Sequence, residues 1–529
     1  MPSLLLIFII FLCSCSNMLN DMSNMDGMEN VLHGYFVISN NDIYIYKSRT
    51  LLNMNVNKAA KMRFRNEGED WPAEWEIYAS VKEWILPGRG QCIQNVYGQF
   101  QDIDGEEITA SDSIILCERV TASDGKAMTG DRFGASVAVS GDGNTVVVGV
   151  PGDRNNYDNT SQDHYNQGAV YVYSWDNTDM EWNERILKTR GERDDNFGCS
   201  VAVSSNGSRI AAGAYNASPD ITMPNWGAVY IFDKVPDWTQ SAVIYDPAGA
   251  AGNAFGYSVS LSADGEKLAI GSPNASITGK VFVAGSAAWL TLEELTSAAI
   301  TGLTDRIKFG NSVSIAGNGQ YVAAGAPEWE NVVHRAGIVI IFTDNISSWS
   351  DTTEYIADPD GDDYFGCSVA LDYNGSFCAI GARGTRETYE SQGSSFAYNR
   401  SGSSWDLFGS GAEPGHLYYS TGANLADYFG GSVCVSNDGL TLIFGADSFD
   451  QSGRGDQGAA FHYFDNGTDF IFKEILYAID GASEDHFASS VAISGDGNTV
   501  AAGAIYDTGN INSQGSVYIF KKSGGTFMD

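Results

Sequence analysis

The sequence predicts an all-β protein: a seven-bladed β-propeller closed by one amino-terminal and three carboxyl-terminal strands, with a smaller β-sandwich ahead of it. Three observations lead there. One pattern of roughly 58 residues recurs seven times along the chain. Each copy consists of short, β-branched apolar runs separated by turn-forming Gly, Asn, Asp and Ser. The strand that the last copy lacks is present ahead of the first.

Composition sets the outer limits. The 529 residues carry 66 acidic against 30 basic side chains, a formal net charge of −36, with 12% aromatic and 43% hydrophobic residues. A surface this negative repels phosphate, which argues against nucleic acid and anionic lipid as partners. So much aromatic residue excludes a disordered chain, and the length suffices for large cores. Beyond residue 13 no apolar run is long enough for a membrane-spanning helix.

In chain order, Leu4 to Cys13 is a ten-residue apolar run followed by the small residues Ser14 and Ser16. It is too short to cross a bilayer and fits the core of a signal peptide over residues 1–16, so export is expected to the extracellular space or the cell surface. Leu12-Cys13-Ser14-Cys15 also resembles a bacterial lipobox, which would make Cys15 a lipid anchor. Residues 17–32, rich in Met, Asn and Asp, read as a disordered tether. Residues 33–114 belong to no repeat and alternate short strands with turns, as in Asp42-Ile43-Tyr44-Ile45-Tyr46 and Met62-Arg63-Phe64-Arg65. The string MRFRNEGEDWPAEWEIYASVKEWILPGRG resembles an immunoglobulin-like module, whose sandwich Trp84 would anchor and whose role would be that of a spacer or adhesive unit.

From residue 115 the repeats take over. Each opens with Phe-Gly, once Phe-Ala, at Phe133, Phe197, Phe255, Phe309, Phe365, Phe429 and Phe487, 54 to 64 residues apart. An apolar strand, a tight turn, a second apolar strand, a variable loop and Gly-x-x-x-x-Phe/Tyr follow. Near-continuous runs such as Val146-Val147-Val148 indicate burial on both faces. Turns such as Gly141-Asp142-Gly143-Asn144 tolerate the positive φ that a tight hairpin requires. A weaker fourth strand, Arg185 to Lys188 in one copy and Phe472 to Leu476 in another, completes a four-stranded sheet. Such a sheet cannot shield both faces alone, and radial stacking of several is a propeller. Ile115 to Thr121 stands ahead of Phe133 as Phe472 to Ala478 stands ahead of Phe487, and supplies the strand missing after Phe520. The domain is therefore expected over residues 115–529.

The Phe-Gly opening and Gly-Ala-Pro closing, intact in Phe309-Gly310 with Gly325-Ala326-Pro327, resemble the FG-GAP repeats of integrin α-subunit propellers and of bacterial and algal surface proteins. The resemblance covers residues 115–520 and implies the propeller fold more than a function. Integrin-type repeats carry an Asp-x-Asp-x-Asp-Gly calcium loop between the first and second strands. The equivalent turns here hold a single Asp, too few oxygens for a calcium shell.

The long connections, from second to third strand and from one copy to the next, share a face of a propeller. They carry Tyr157, His164, Tyr165, Trp226, Trp329, Tyr389 and Asp456, a set suited to recognition on a rigid ring, although loops also simply tolerate drift. A carboxylate lies two positions before Phe in five copies: Asp131, Asp195, Asp363, Asp427 and Asp485. These either rim a central channel with negative charge or fix the turn into the innermost strand. Asp358, Asp360, Asp362 and Asp363 form the densest acidic cluster and offer oxygen ligands of the kind Ca²⁺ takes; no other cofactor is indicated. Arg454-Gly455-Asp456 resembles an adhesion tripeptide that arises readily by chance. Eight Asn-x-Ser/Thr sequons, from Asn159 to Asn466, matter only in a glycosylating host. The cysteines outside the leader read as free core thiols, with Cys199, Cys367 and Cys434 in equivalent strands; a Cys92–Cys117 disulfide in an oxidising compartment is the alternative.

Catalytic signatures such as Gly-x-Ser-x-Gly, His-Glu-x-x-His and phosphate loops are missing, so no catalytic residue is assigned. The sequence is read as a non-catalytic binding or adhesion protein that engages an extracellular protein or glycan. The alternative is a secreted propeller enzyme acting on polysaccharide, with carboxylates gathered from several blades.

Overall fold

The computed structural model describes residues 32–529 except 40–43, 47, 88–91, 124–129, 155–165, 190–192, 219–224, 247, 288, 290, 298, 301–305, 331–334, 346–347, 358–362, 387–390, 403, 410–414, 419–425, 451–452, 509–513, 523–524 and 528–529. The described elements are strands throughout. Among the described residues no helix is long and apolar enough to cross a membrane. The chain divides into two compact units, one made of residues up to 43, 49–86 and 94–114, the other of 44–48, 87–93 and 115–529.

The smaller unit contains two sheets. One orders Gly34–Ile38, Arg49–Val56 and Val81–Ile85, and the other places Cys92–Gln101 between Lys61–Asn66 and Glu107–Leu116. Strict alternation, as in Lys61–Asn66, sends Met62 and Phe64 inward. Phe36, Phe64 and Phe100 interlock with ring centroids 5.3 to 6.4 Å apart. Trp84 is half-buried at the edge of this trio, 5.8 Å from Phe64, and its indole N–H donates to Asn66 Oδ1 at 2.7 Å.

The repeats form four-stranded antiparallel sheets consistent with a β-propeller. In the first, Ser136–Val139, Thr145–Val150, Ala169–Asp176 and Glu181–Leu187 are neighbours in chain order. The same order recurs over 197–244, 258–295, 312–357, 365–407 and 432–476. The fourth strand extends further toward the hairpin than its weak apolar pattern suggested, starting at Glu181 and at Phe470, because it pairs along the length of the third strand. In the fifth repeat it is split: Ser404–Leu407 and His416–Leu417 pair with successive parts of Ser394–Ser401. The last sheet orders Phe487–Ile493, Thr499–Ala504, Ser516–Lys521 and then Glu118–Val120, with Tyr518 opposite Arg119.

Burial explains the repeated residues. All seven opening phenylalanines are at most 3% exposed. Each lies against the third strand of its own sheet, as Phe133 does on Tyr171 at 5.3 Å and Phe487 on Tyr518 at 5.6 Å. The glycine near the end of each second strand faces the backbone of the next sheet. A Cβ on Gly149 would fall 1.9 Å from the Gly198 carbonyl oxygen, and one on Gly213 1.9 Å from that of Gly256. Only glycine allows this approach.

Two belts of hydrogen bonds run from sheet to sheet. In one, the serine three positions after Phe donates to the carbonyl of the residue after the next Phe: Ser136 to Gly198, Ser200 to Gly256, Ser258 to Gly310, Ser312 to Gly366, Ser368 to Gly430, Ser432 to Ala488 and Ser490 to Gly134, all at 2.7 to 2.9 Å. In the other, the first hairpin turns bond in series, Gly141 to Ser205, Ser205 to Ala263, Ala263 to Gly317, Asn318 to Tyr373, Tyr373 to Asn437, Asn437 to Gly495 and Asp496 back to Gly141. Both belts return to the repeat in which they start.

Candidate functional site

Three consecutive positions at the start of each repeat have separate roles. The first, two before Phe, accepts a backbone hydrogen bond from the loop that follows the second strand: Gly152 to Asp131, Asn216 to Asp195, Asn274 to Asn253, Glu328 to Ile307, Gly384 to Asp363 and Tyr506 to Asp485, at 2.9 to 3.3 Å. The acceptor is the main-chain carbonyl, so Asn253 and Ile307 serve as well as Asp. The side chains of Asp131, Asp195, Asp363, Asp427 and Asp485 lie inside, at 2 to 4% exposure. The reading of these carboxylates as a charged channel rim is therefore corrected. Asp485 ties its entry turn from within by accepting the Ala482 N–H.

The second position, just before Phe, is left-handed in every repeat: Arg132, Asn196, Ala254, Lys308, Tyr364, Tyr428 and His486 have φ between 52° and 60°. None is glycine, and left-handed Tyr, Lys and Arg are uncommon. Such strain persists only where surrounding bonds over-determine the backbone, and it gathers at functional surfaces. Between a buried first position and a buried Phe, this residue reaches solvent in five repeats; Asn196 and Ala254 are buried.

These side chains meet residues from the ends of the second strands to form a mixed aromatic and charged mouth. Arg335 Nη1 donates to the Tyr364 hydroxyl at 2.6 Å, and the Arg335 and Arg383 guanidiniums each lie 5.5 Å from the Tyr364 ring centre. His486 Nδ1 is 3.9 Å from Asp447 Oδ2, and its ring is 5.3 Å from that of Tyr506. Tyr215 and Tyr257 are 5.9 Å apart. Burial pushes the Tyr257 hydroxyl above its usual range, Cys199 adds to this, and Arg383 pulls it back. Burial likewise raises the Asp447 carboxyl against the opposing pull of His486 and Arg383. Tyr215 is raised by burial and by Cys199, with Arg132 opposing. These contacts join the second repeat to the third through Tyr215 and Tyr257, the fourth to the fifth through Arg335 and Tyr364, and the sixth to the seventh through Asp447 and His486.

The residues singled out from the sequence are distributed unevenly. Tyr157, His164, Tyr165, Tyr389, Asp358, Asp360 and Asp362 lie outside the described residues, so the acidic cluster is represented by the buried Asp363. Trp226 is half-buried over the backbone of Gly249. Trp329, at 8% exposure, packs into the core with Ile300, Ile307 and Phe342 and not into a recognition surface. Asp456 is exposed, and its carbonyl accepts the His486 N–H, which places it beside the mouth. Its neighbour Arg454 donates to the Gly481 carbonyl at 2.6 Å, so the tripeptide is folded into the surface. Among the described residues no group of three or more His, Cys, Asp or Glu side chains is arranged to hold a metal. Cys199, Cys367, Cys378 and Cys434 are unbridged, and burial holds the Cys199 thiol at a pKa of about 11. The Cys92 side chain, and with it a bridge to the buried Cys117, lies outside the described residues.

A second, buried cluster joins the closing strand to the last sheet. Arg119 Nη1 lies 2.7 Å from Asp480 Oδ2 and 3.6 Å from Asp507 Oδ2, and the Tyr518 hydroxyl reaches both carboxylates at 2.8 and 2.7 Å. Tyr46 donates to Asp480 at 2.6 Å beneath the Arg119 guanidinium. Sequence reasoning missed both constellations. The mouth had a signal, a variable residue held between a position that is Asp in five repeats and the opening Phe; the buried cluster had none.

Residues 116–173, 183–232, 238–287 and 472–520 match the FG-GAP repeat. These matches and the four-stranded sheets support an FG-GAP β-propeller. No curated protein matches the sequence. Among solved structures, the chain is similar to hydrazine synthase of Kuenenia stuttgartiensis (11% identity, TM-score 0.47, covering 76% of this chain and 99% of that one). It is also similar to the periplasmic gluconolactonase PpgL of Pseudomonas aeruginosa (12%, 0.42, 75% and 95%) and to the GH74 xyloglucanase of Xanthomonas campestris (13%, 0.42, 73% and 53%).

Proposed function

We propose that the chain is a secreted or cell-surface binding protein, non-catalytic, that engages an extracellular protein or glycan at the mouth. In this reading the repeats close into a seven-bladed propeller of the kind integrin α-subunits carry, latched by Glu118–Val120, and residues 33–114 are an immunoglobulin-like spacer. The two returning hydrogen-bond belts support the ring, and the apolar run Leu4 to Cys13 supports export.

The observation that carries the reading is the mouth itself. A buried residue on one side and the buried Phe on the other hold variable side chains in strained backbone at one end of a rigid scaffold, an arrangement that serves recognition. Binding is favoured over polysaccharide hydrolysis because the described carboxylates that cluster, Asp480, Asp485 and Asp507, are buried and held by Arg119, Tyr518 and backbone. A hydrolase needs its acid and its partner carboxylate open to the sugar.

The test is to probe a glycan array and an extracellular-protein array with the purified chain and with an Arg383→Ala, Tyr257→Ala variant of unchanged thermal midpoint. Ligands retained by the parent and lost by the variant are expected. Ligands bound equally by both would place recognition elsewhere and defeat the reading.

A further inference from the structure

We infer that the mouth takes an acidic glycan, a short oligosaccharide bearing carboxylate or sulfate groups. This rests on the binding reading above and names the ligand class for the same site. The inference starts from a local reversal of charge. The chain has 66 acidic and 30 basic residues, yet the left-handed positions and adjoining loops at the mouth hold Arg132, Lys308, Arg335, Arg383 and His486.

Elsewhere several described cations are neutralised, Arg119 by Asp480, Arg185 by Asp237, Arg209 by Asp233, Lys267 by Asp344 and Lys280 by Glu294, while others, such as Arg63 on Trp75 and Arg400 on Tyr321, lie on aromatic rings. Among the described residues, no carboxylate makes an ion pair with Arg132, Lys308, Arg335 or Arg383. Lys308 contacts the neutral Asn274, and Arg335 and Arg383 flank the ring of Tyr364. Carboxylates near them include Asp447, 3.9 Å from His486; Asp456, exposed beside it; Asp194, paired with Arg193; and Glu328, whose N–H bonds to the Ile307 carbonyl next to Lys308. Two guanidiniums that make no ion pair among the described residues, in so acidic a protein, are suited to an external anion, which their planar forks grip with two hydrogen bonds.

The aromatic residues narrow that anion to a sugar. Tyr257, Tyr506 and Tyr428 are 42%, 39% and 37% exposed, each joining a flat apolar face to a hydroxyl. A pyranose ring has the matching pair of surfaces, C–H faces that stack and hydroxyls that hydrogen-bond. The surrounding negative surface repels a long polyanion and leaves the site to a short acidic segment.

The experiment uses the full chain and calorimetric titration with four probes: an oligogalacturonate, a sulfated galactan oligosaccharide, a neutral galactan oligosaccharide and an oligoglutamate peptide. Either acidic sugar, or both, should bind at least about tenfold more tightly than the neutral one. The two acidic arms tell carboxylate from sulfate recognition. Arg383→Met and, as a second variant, Arg335→Met should each lose about tenfold toward the acidic sugar, while Arg383→Lys retains part of it, all with unchanged thermal midpoints. Equal binding of neutral and acidic sugars that the Met variants leave intact overturns the acidic preference and spares the binding reading. Binding of the peptide alone, dependent on Arg383, also overturns the glycan assignment and spares the site. If no probe binds and the arrays yield nothing that depends on Arg383, both fall.

Discussion

Ser490 Oγ donates to the Gly134 carbonyl at 2.7 Å, joining residues 356 positions apart and completing a belt whose other six links span 52 to 62. The contact is chemically the same as Ser312 to Gly366 at 2.8 Å. Removing either hydroxyl strands a carbonyl between sheets, at a cost of about 1 to 3 kcal/mol. Ser490→Ala and Ser312→Ala are therefore expected to lower stability by similar amounts in urea denaturation. A much smaller effect at Ser490 would mean that the closing joint is looser than the others.

The seventh repeat departs from its siblings at Ala488, which is left-handed at φ 65° where six glycines lie between 82° and 89°. An alanine there is strained by about 1 kcal/mol relative to glycine. Ala488→Gly should raise the thermal midpoint. The reverse change, Gly310→Ala, should lower stability by more than about 2 kcal/mol, since its Cβ would sit 2.5 Å from the Lys280 carbonyl oxygen as well as at φ 87°. A neutral outcome at both sites would show that this turn relaxes.

What the sequence made legible follows from these constraints. Phe-Gly and Gly-Ala recur because a backbone carbonyl occupies the place of a Cβ, at Gly149 and Gly213 for example, and so rigid a demand leaves a trace in every copy. The serine three positions after each Phe is equally regular, but its partner lies in the next repeat, so its purpose cannot be read within one copy. The mouth was hidden because its positions vary and their neighbours lie far along the chain, as Arg383 does from Tyr364 and Arg335. Trp329 misled for a different reason. A loop tryptophan suggests exposure, whereas this loop turns back over Ile300 and Ile307 and buries the ring.

Arg119 is the one described cation amid Asp480 and Asp507 in the closing cluster, with side chains only 5 to 10% exposed. Deleting one partner of a buried ion pair leaves the others charged and desolvated, a loss of about 3 to 5 kcal/mol. Arg119→Met should produce a loss of that size, with faster amide exchange over residues 516–521, the strand paired with Glu118–Val120. Arg185→Met, which removes an exposed pair with Asp237, is the control and should change stability by less than about 1 kcal/mol. Equal effects would remove the latch role from Arg119.

Asp485 adds a pH dependence to the same cluster. Burial pushes its carboxyl up to about 6; the Ala482 N–H opposes this, while Asp507 and Asp480 add to it. The folded-state value lies above the unfolded one, so the native protein holds the proton more tightly. That contribution is full below the unfolded pKa and is lost as pH rises through about 6. A shift of about two units corresponds to about 3 kcal/mol between the ends of the window. Asp485→Asn keeps an acceptor for the Ala482 N–H and removes the charge. Relative to the parent, the variant should gain about 2 to 3 kcal/mol of stability between about pH 4 and about pH 8 in urea denaturation. A difference that is constant across that range would mean that Asp485 ionises in the folded protein as it does in the unfolded chain, and that the three carboxylates do not repel one another across the closing sheet.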